Sequence, residues 1–260
     1  MSLKMIYGRG GSGKTRAVYE ELKKRMKEVP ERNFIILVPD QYTFRSEQKV
    51  LRELGQKSVF KVTVLSFSTM IRTILQTVGG ATHNLISDLG KSMLMTKVLG
   101  EVQGEMALFK GVAKKPGFID LAKSLVEEMK RYDLDVEELA KTIEEANDPE
   151  LHQKFGDIIL FYKAYDEEVH KTHVDAVDEM SFARERLDKS AFIKNSEIFI
   201  DEFNDFSMLQ LQFIESLMEC AHRVVMTLTM DKESSQGDVF QITKDTESHI
   251  YQLAERAGIS

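Results

Sequence analysis

Gly8-Arg9-Gly10-Gly11-Ser12-Gly13-Lys14-Thr15 is the stretch from which the rest of the chain is read. It fits Gly-x-x-x-x-Gly-Lys-[Ser/Thr] at every position. Glycines let successive backbone N–H groups turn inward around an anion, in conformations that a Cβ would forbid. The lysine of such a loop reaches a nucleotide's outer phosphates, and the terminal hydroxyl binds Mg2+. The spacing therefore predicts a nucleotide site over Gly8, Arg9, Gly10, Gly11, Ser12, Gly13, Lys14 and Thr15, with Lys14 on the phosphates and Thr15 on the metal. The plainer reading is a glycine turn that binds nothing. Its flanks weigh against that. Leu3–Tyr7 is a short apolar run that reads as a buried strand, and Lys14–Glu28 carries Ala17, Val18, Leu22 and Met26 at helical spacing until Pro30. A helix that starts there turns the positive end of its dipole toward the phosphates.

Beyond this unit the same alternation continues. Phe34-Ile35-Ile36-Leu37-Val38, closed by Pro39, is apolar on both faces, as a strand covered on two sides requires. Glu47–Leu54 reads as a helix, Phe60–Leu65 as a third strand, and Ser68–Thr77 as a helix stopped by Gly79-Gly80. From about Leu85 to Leu187 only helical periodicities remain, such as Leu121, Leu125 and Met129, then Ile158, Ile159, Tyr162 and Tyr165. Glu197–Asp201 returns as a strand, followed by a helix over Ser207–Cys220 and a strand over Arg223–Leu228. The predicted fold class is α/β, a parallel sheet of the P-loop type flanked by helices, with an all-helical insertion. Residues 1–84 and 191–260 form the first domain and 85–190 the insertion. No closing element is visible at the far end, and the chain reads as a piece of a longer protein.

A phosphate loop needs a carboxylate at a neighbouring strand end to hold Mg2+, and often a second to take a proton from the attacking water. Phe199-Ile200-Asp201-Glu202 offers both, with Asp201 for the metal and Glu202 as the base. The competing reading is an Asp that only caps the following helix. The presence of the loop upstream favours the catalytic one.

Bulk composition sets outer limits. The 260 residues are 42% hydrophobic and 30% charged, enough for a packed core. A formal net charge of −7 argues against a free-standing nonspecific nucleic-acid binder, though not against a local groove. One cysteine, Cys220, forms no internal disulfide or cysteine metal cluster and suits a reducing cytoplasm. No stretch approaches the roughly 18 apolar residues of a membrane span. Met1–Tyr7 runs straight into the glycine loop and leaves no space for a signal peptide.

Two further groups of residues have competing readings. His170 and His173 with Asp175 and Asp178 have the look of a metal cluster, but their helix is acidic and no cysteine supports it, so a solvated helix is preferred. Lys110, Lys114, Lys115, Lys130 and Arg131 suit a DNA backbone, although a solvated face again explains them more simply.

Asp201-Glu202-Phe203-Asn204-Asp205, with Gln210 beyond, resembles the Asp-Glu-Phe-Gln-Asp-Thr stretch of UvrD-like superfamily 1 helicases. Val64–Ser68 and Val38–Phe44 fall where those helicases carry two further motifs, and the helical block falls where their 1B subdomain is inserted into domain 1A. The AddB-type component of AddAB ATP-dependent helicase–nucleases is a closer resemblance, over essentially the whole chain. It rests on Gly8–Thr15, Leu37–Gln41 with Thr43-Phe44, Val64–Phe67, Gly117-Phe118, Lys130-Arg131-Tyr132, Ile200-Asp201 with Phe203 and Phe206, and Gly237–Phe240 with Thr243-Lys244. That resemblance implies ATP and Mg2+ as cofactors and an AddA-like helicase–nuclease subunit as heterodimer partner. DNA, as single strand or duplex end, is the implied substrate, and recombinational repair of double-strand breaks the implied role. It also implies single-strand contacts at Tyr42, Phe44, Phe67 and Ser68, where aromatics stack on bases, although core packing explains the aromatics equally well.

Members of the AddB family usually carry Asp-Gly-Phe where this chain has Asp201-Glu202-Phe203, so Glu202 restores the helicase-like acidic pair. The family's nuclease domain and iron–sulfur cysteines lie far downstream, and no nuclease activity is expected of these residues. Two other functions share the glycine loop: an active UvrD-like ATPase motor fragment, and a small-molecule or nucleoside kinase. A kinase usually adds a lid with arginines, and the insertion shows no such cluster.

Overall fold

The computed structural model describes residues 2–55, 60–79, 86–146, 148–172, 176–231 and 240–259. Gly80, Leu85, His173, Asp175 and Gly237, Asp238 and Val239, singled out in the sequence, lie outside the described residues. The chain divides into two compact units, Met1–Ala81 with Met180–Ser260, and Thr82–Glu179.

Among the described residues of the first unit, five strands make one parallel sheet: β1 (Leu3–Gly8), β2 (Asn33–Leu37), β3 (Val62–Leu65), β4 (Ser196–Ile200) and β5 (Arg223–Thr229). Their order is β1-β5-β4-β2-β3. The register pairs Gly8 with Thr229, Ile200 with Met226, Leu37 with Ile200, and Leu37 with Leu65. All five carboxyl ends therefore open on one edge of the sheet, where ligands of parallel α/β sheets bind.

The connections explain the layers. From β1 the chain passes through α1 (Lys14–Glu28) to β2 and through α2 (Thr43–Leu54) to β3, moving the same way along the sheet. Right-handed crossovers then put both helices on one face. There Val18, Tyr19, Leu22 and Val50 pack on Phe34, Ile36, Val62, Phe199 and Val225. The return to β4 and β5 runs the other way, so α3 (Phe67–Val78), α9 (Ala191–Lys194) and α10 (Met208–Cys220) cover the opposite face. That core holds Ile35, Leu37, Ile198, Ile200, Met226 and Leu228 from the strands, with Met70, Ile74, Phe213 and Leu217 from the helices. Alternate residues of one strand thus feed two cores, as the period of two demands.

Three features depart from expectation or refine it. A closing helix exists: α11 (Gln241–Arg256) follows β5 and packs Ile250 and Ala254 into the second core. Its buried stripe is Thr243, Thr246, Ile250 and Ala254, and two threonines in four hide the apolar period. The return to the α/β unit comes at Met180, ahead of residue 191, because Met180, Phe182, Ala183 and Leu187 pack against the sheet core. The helix carrying the first three is α8 (Ala176–Arg184). Lastly, Gln210 closes a capping box at the head of α10: its side chain accepts from the Ser207 N–H at 2.9 Å, while Ser207 Oγ accepts from the Gln210 N–H.

The second unit is helical throughout its described residues, with α4 (Asp88–Val102), α5 (Pro116–Arg131), α6 (Val136–Glu145) and α7 (Pro149–Thr172). Ile158, Phe161, Tyr165 and Val169 recur every three or four residues along α7 and meet Met95, Leu99, Ala122, Val126 and Met129. Asp157 is buried and accepts from the N–H groups of Ala107, Leu108 and Phe109, each at 2.8 Å, which ties down the segment after α4. No described helix is long and apolar enough to cross a membrane.

Candidate functional site

Gly8 ends β1 and Lys14 begins α1, so the glycine loop joins a strand's carboxyl end to a helix's amino end. The loop closes with the Ser12 N–H donating to the Arg9 carbonyl at 3.1 Å. Gly11 and Gly13 take positive φ of 77° and 95°, a region that costs an L-residue about 1–2 kcal/mol. Gly8 is constrained for a different reason: a Cβ there would stand 2.1 Å from Ser12 Oγ, and the hydroxyl would have to turn away. At Gly10, Gly11 and Gly13 a Cβ would meet open space. The inner side of the loop at these three glycines is thus free of neighbouring atoms within 4 Å of a would-be Cβ.

Lys14 Nζ donates to two loop carbonyls, Gly8 O at 2.9 Å and Arg9 O at 3.0 Å. Burial pushes its pKa down, and the nearby charges of Asp201 and Glu202 act in the opposite direction. All three side chains therefore share one electrostatic neighbourhood. Arg9 is tied to Asp231, just past β5, with Nη2 2.6 Å from Oδ2. Thr15 is half-buried and lines a cleft of about 490 Å3 between α1 and α2, with Arg16, Tyr19, Glu20, Lys23, Lys49, Arg52 and Glu53. Tyr19 donates to the Ser46 carbonyl at 3.2 Å, and burial foremost, then the charges of Asp201, Glu202 and Glu53, raise its pKa.

Asp201 follows β4 and is 3% exposed. Its N–H donates to Leu37 O at 3.0 Å, and Oδ1 accepts from Thr227 Oγ1 of β5 at 2.6 Å. Among the described residues Oδ2 takes no hydrogen bond. Glu202, next in sequence, has φ 68°. That conformation explains in physical terms why a glycine suits this position. A glutamate there costs on the order of 1 kcal/mol, and strain of this kind tends to collect at functional sites. The turn brings the carboxylate to α2, where Lys49 Nζ lies 3.0 Å from Glu202 Oε1.

The anticipated single-strand contacts separate. Phe44 is 69% exposed, and Ser68 is exposed with its Oγ donating to Asp40 Oδ1 at 2.8 Å. Tyr42 packs partly against the α1–α2 core. Phe67 takes the core-packing alternative: it is buried, with its ring edge-on to Phe203, Phe206 and Phe213 at 5.6, 6.5 and 6.0 Å. A ring enclosed in this way has no face to offer a base. Lys130 fits neither the solvated-face reading nor the DNA-backbone one, since it is 5% exposed and lies 2.6 Å from Asp166 and 3.2 Å from Asp178.

The His170 cluster takes a different form from the one the sequence suggested. Ligand atoms of Asp166, His170 and Asp178 lie within 4.8 Å of one another, but the Lys130 ammonium already sits between the carboxylates. His170 Nδ1 also lies 2.7 Å from the Asp166 carbonyl.

Sequence reasoning missed Thr227, Asp231 and Lys49. Nothing in their spacing marks them, because each acquires its role only when the strand order and the α1–α2 face bring it to the loop.

The described features define a class: an α/β unit of parallel strands with a glycine-rich loop after the first strand and a buried aspartate after the fourth. The family model described as ADDB, N-terminal, matches residues 5–260, and the chain belongs to that family. It is similar to the B-type subunit of the ATP-dependent helicase/deoxyribonuclease of Clostridium kluyveri, with 36% identity over 264 residues. The corresponding subunits of Clostridium perfringens strain SM101 and Clostridium acetobutylicum are 36% and 35% identical over 263 and 262 residues. Each comparison covers 100% of this chain and 23% of the relative, so the chain spans about a quarter of the length of these curated relatives.

Proposed function

We propose that the α/β unit is a P-loop nucleotide-binding unit, comparable to domain 1A of superfamily 1 helicases, that holds ATP with Mg2+. The helical unit corresponds to an inserted 1B-like subdomain. The whole serves in a helicase–nuclease subunit that works with an AddA-like partner on DNA ends in recombinational break repair. The helicase/deoxyribonuclease name carried by the relatives supports the helicase–nuclease assignment.

One observation carries the nucleotide reading. A Gly-x-x-x-x-Gly-Lys-Thr loop with left-handed Gly11 and Gly13 ends an edge strand, and the buried Asp201 carboxylate opens on the same edge of the sheet. Amides of the loop and the head of α1 would face the phosphates, with Lys14 leaving its two carbonyls for the outer ones. Thr15 and Asp201 Oδ2 would hold Mg2+, whose chemistry is to neutralise charge between the outer phosphates. Thr227 fixes which Asp201 oxygen remains available.

A second reading, an ATP-hydrolysing motor, is favoured by one residue. Glu202 supplies a carboxylate able to take a water proton where the family usually has glycine. Phe44 and Ser68 remain the proposed single-strand contacts, with Tyr42 beside them.

Measuring ATP binding with Mg2+ and with a chelator, in the wild type and Asp201→Asn, tests the metal half of the site. Binding that requires Mg2+ in the wild type and loses that requirement in the variant supports it. Identical behaviour of the two proteins counts against it. Phosphate release with and without single-stranded DNA separates motor from scaffold.

A further inference from the structure

Lys49 belongs to no recognised motif, yet it touches two parts of the proposed site. Its ammonium lies 3.0 Å from Glu202 Oε1, and its side chain lines the same cleft as Thr15. Glu202 in turn shares an electrostatic neighbourhood with Lys14. The carboxylate therefore contacts the α2 lysine directly and acts on the α1 lysine only through its charge.

The Lys49–Glu202 pair is loosely held. The contact is part-buried, with side chains 24% and 20% exposed, so water still reaches it and screens part of the Coulomb gain. A lysine ammonium is a point charge on a flexible stem and redirects readily. Lys23 is engaged with Glu53 along the same cleft, and Arg16 with Glu20, each an exposed contact away from Glu202. Lys49 is the cation of the α2 wall that is already turned to the acidic end of the site.

A terminal phosphate brought beside Asp201 and Glu202 meets two carboxylates. Mg2+ answers one of these charges, and a second cation is needed for the other. We infer that Lys49 is a specificity-determining residue of the nucleotide site: it neutralises Glu202 in the free chain and turns to the terminal phosphate of a bound nucleoside triphosphate. A diphosphate, ending one phosphate earlier, gains nothing from it. This rests on the nucleotide reading of Gly8–Thr15, and it adds a ligand class, triphosphate over diphosphate, with a residue responsible for it.

The test is equilibrium titration of the chain with Mg2+-bound adenosine imidotriphosphate and with Mg2+-bound ADP. Lys49→Met is expected to weaken the triphosphate by roughly tenfold or more, the scale of one charge-assisted contact, and the diphosphate by less than about twofold. Lys49→Arg, which keeps the charge, is expected to stay within about threefold of wild type for both. Glu202→Gln is expected to tighten the triphosphate, and that gain should vanish in the Lys49→Met background. Equal losses for both nucleotides, or no change for either, would overturn the role of Lys49 and leave it a plain structural partner of Glu202. Wild-type protein that takes up neither nucleotide would instead overturn the nucleotide reading itself, a distinguishable failure.

Discussion

Two lysines in this chain each face a pair of acidic side chains, and their surroundings differ in an instructive way. Lys130, in the helical unit, is buried and contacts Asp166 at 2.6 Å and Asp178 at 3.2 Å. Burial pulls its pKa down, but the hydrogen bond to Asp166 and the charges of both aspartates outweigh this, and the net shift is upward. Lys14, at the glycine loop, hydrogen-bonds only neutral carbonyls, while Asp201 and Glu202 act from further off. Its net shift is downward, burial being the largest cause. A cation satisfied by anions is a structural strut. One held by carbonyls alone has no direct counter-ion, which is what the proposed phosphate role asks of Lys14. That contrast separates the two lysines more sharply than their positions in the sequence do.

The contrast can be broken by stability measurements. Lys130→Met leaves Asp166 and Asp178 facing each other without their cation. Both are partly exposed, so the expected loss is about 2–3 kcal/mol, below the full cost of stranding a buried charge. Denaturant titration reads it directly. Lys14→Ala, by contrast, is expected to leave stability within about 0.5 kcal/mol or to raise it, since the lysine is desolvated without a direct counter-ion. A comparable loss in both variants would erase the distinction.

Gly13→Ala comes next, at about 1–2 kcal/mol, because alanine must take the left-handed φ of 95° at the head of α1. Glu202→Gly has the opposite sign. It relieves the strain at φ 68° and gives up a part-buried pair with Lys49, for an expected net gain of roughly 0.5 kcal/mol. A loss of stability there would mean that the ion pair outweighs the backbone strain.

The smallest effect at neutral pH is the pH dependence, which sharpens the same comparison. The folded-state pKa of Lys130 lies above its unfolded value of about 10.4. Its contribution is therefore complete below that value and is lost as pH rises through the folded one. Wild-type stability should fall over this alkaline window by more than that of Lys130→Met, as paired unfolding curves would reveal.

How much of this could be read from the amino acids follows from where each signal resides. The loop and strands β1, β2, β4 and β5 were legible because glycine spacing and unbroken apolar runs such as Phe34–Val38 are local and leave few alternatives. Asp201 was legible as the polar residue ending one such run. The α11 helix was not, because its inward face carries Thr243 and Thr246 in place of apolar residues. Phe67 was ambiguous for the opposite reason: an aromatic after a strand looks the same whether it stacks on a base or packs edge-on against Phe203. The left-handed turn at Glu202, the hydrogen bond from Thr227 and the reach of Lys49 depend on elements far apart in sequence, and only the assembled sheet brings them to one edge.

The central claim is that the Gly8–Thr15 loop closes on phosphate. Calorimetric titration of the chain with Mg2+-bound ATP, wild type against Lys14→Ala, addresses it most directly. The account predicts saturable binding that the substitution weakens by roughly a hundredfold, with the melting temperature of the free protein not lowered by more than a degree or so, about what 0.5 kcal/mol would give. Binding that is the same in both proteins, or absent from the wild type, would contradict it.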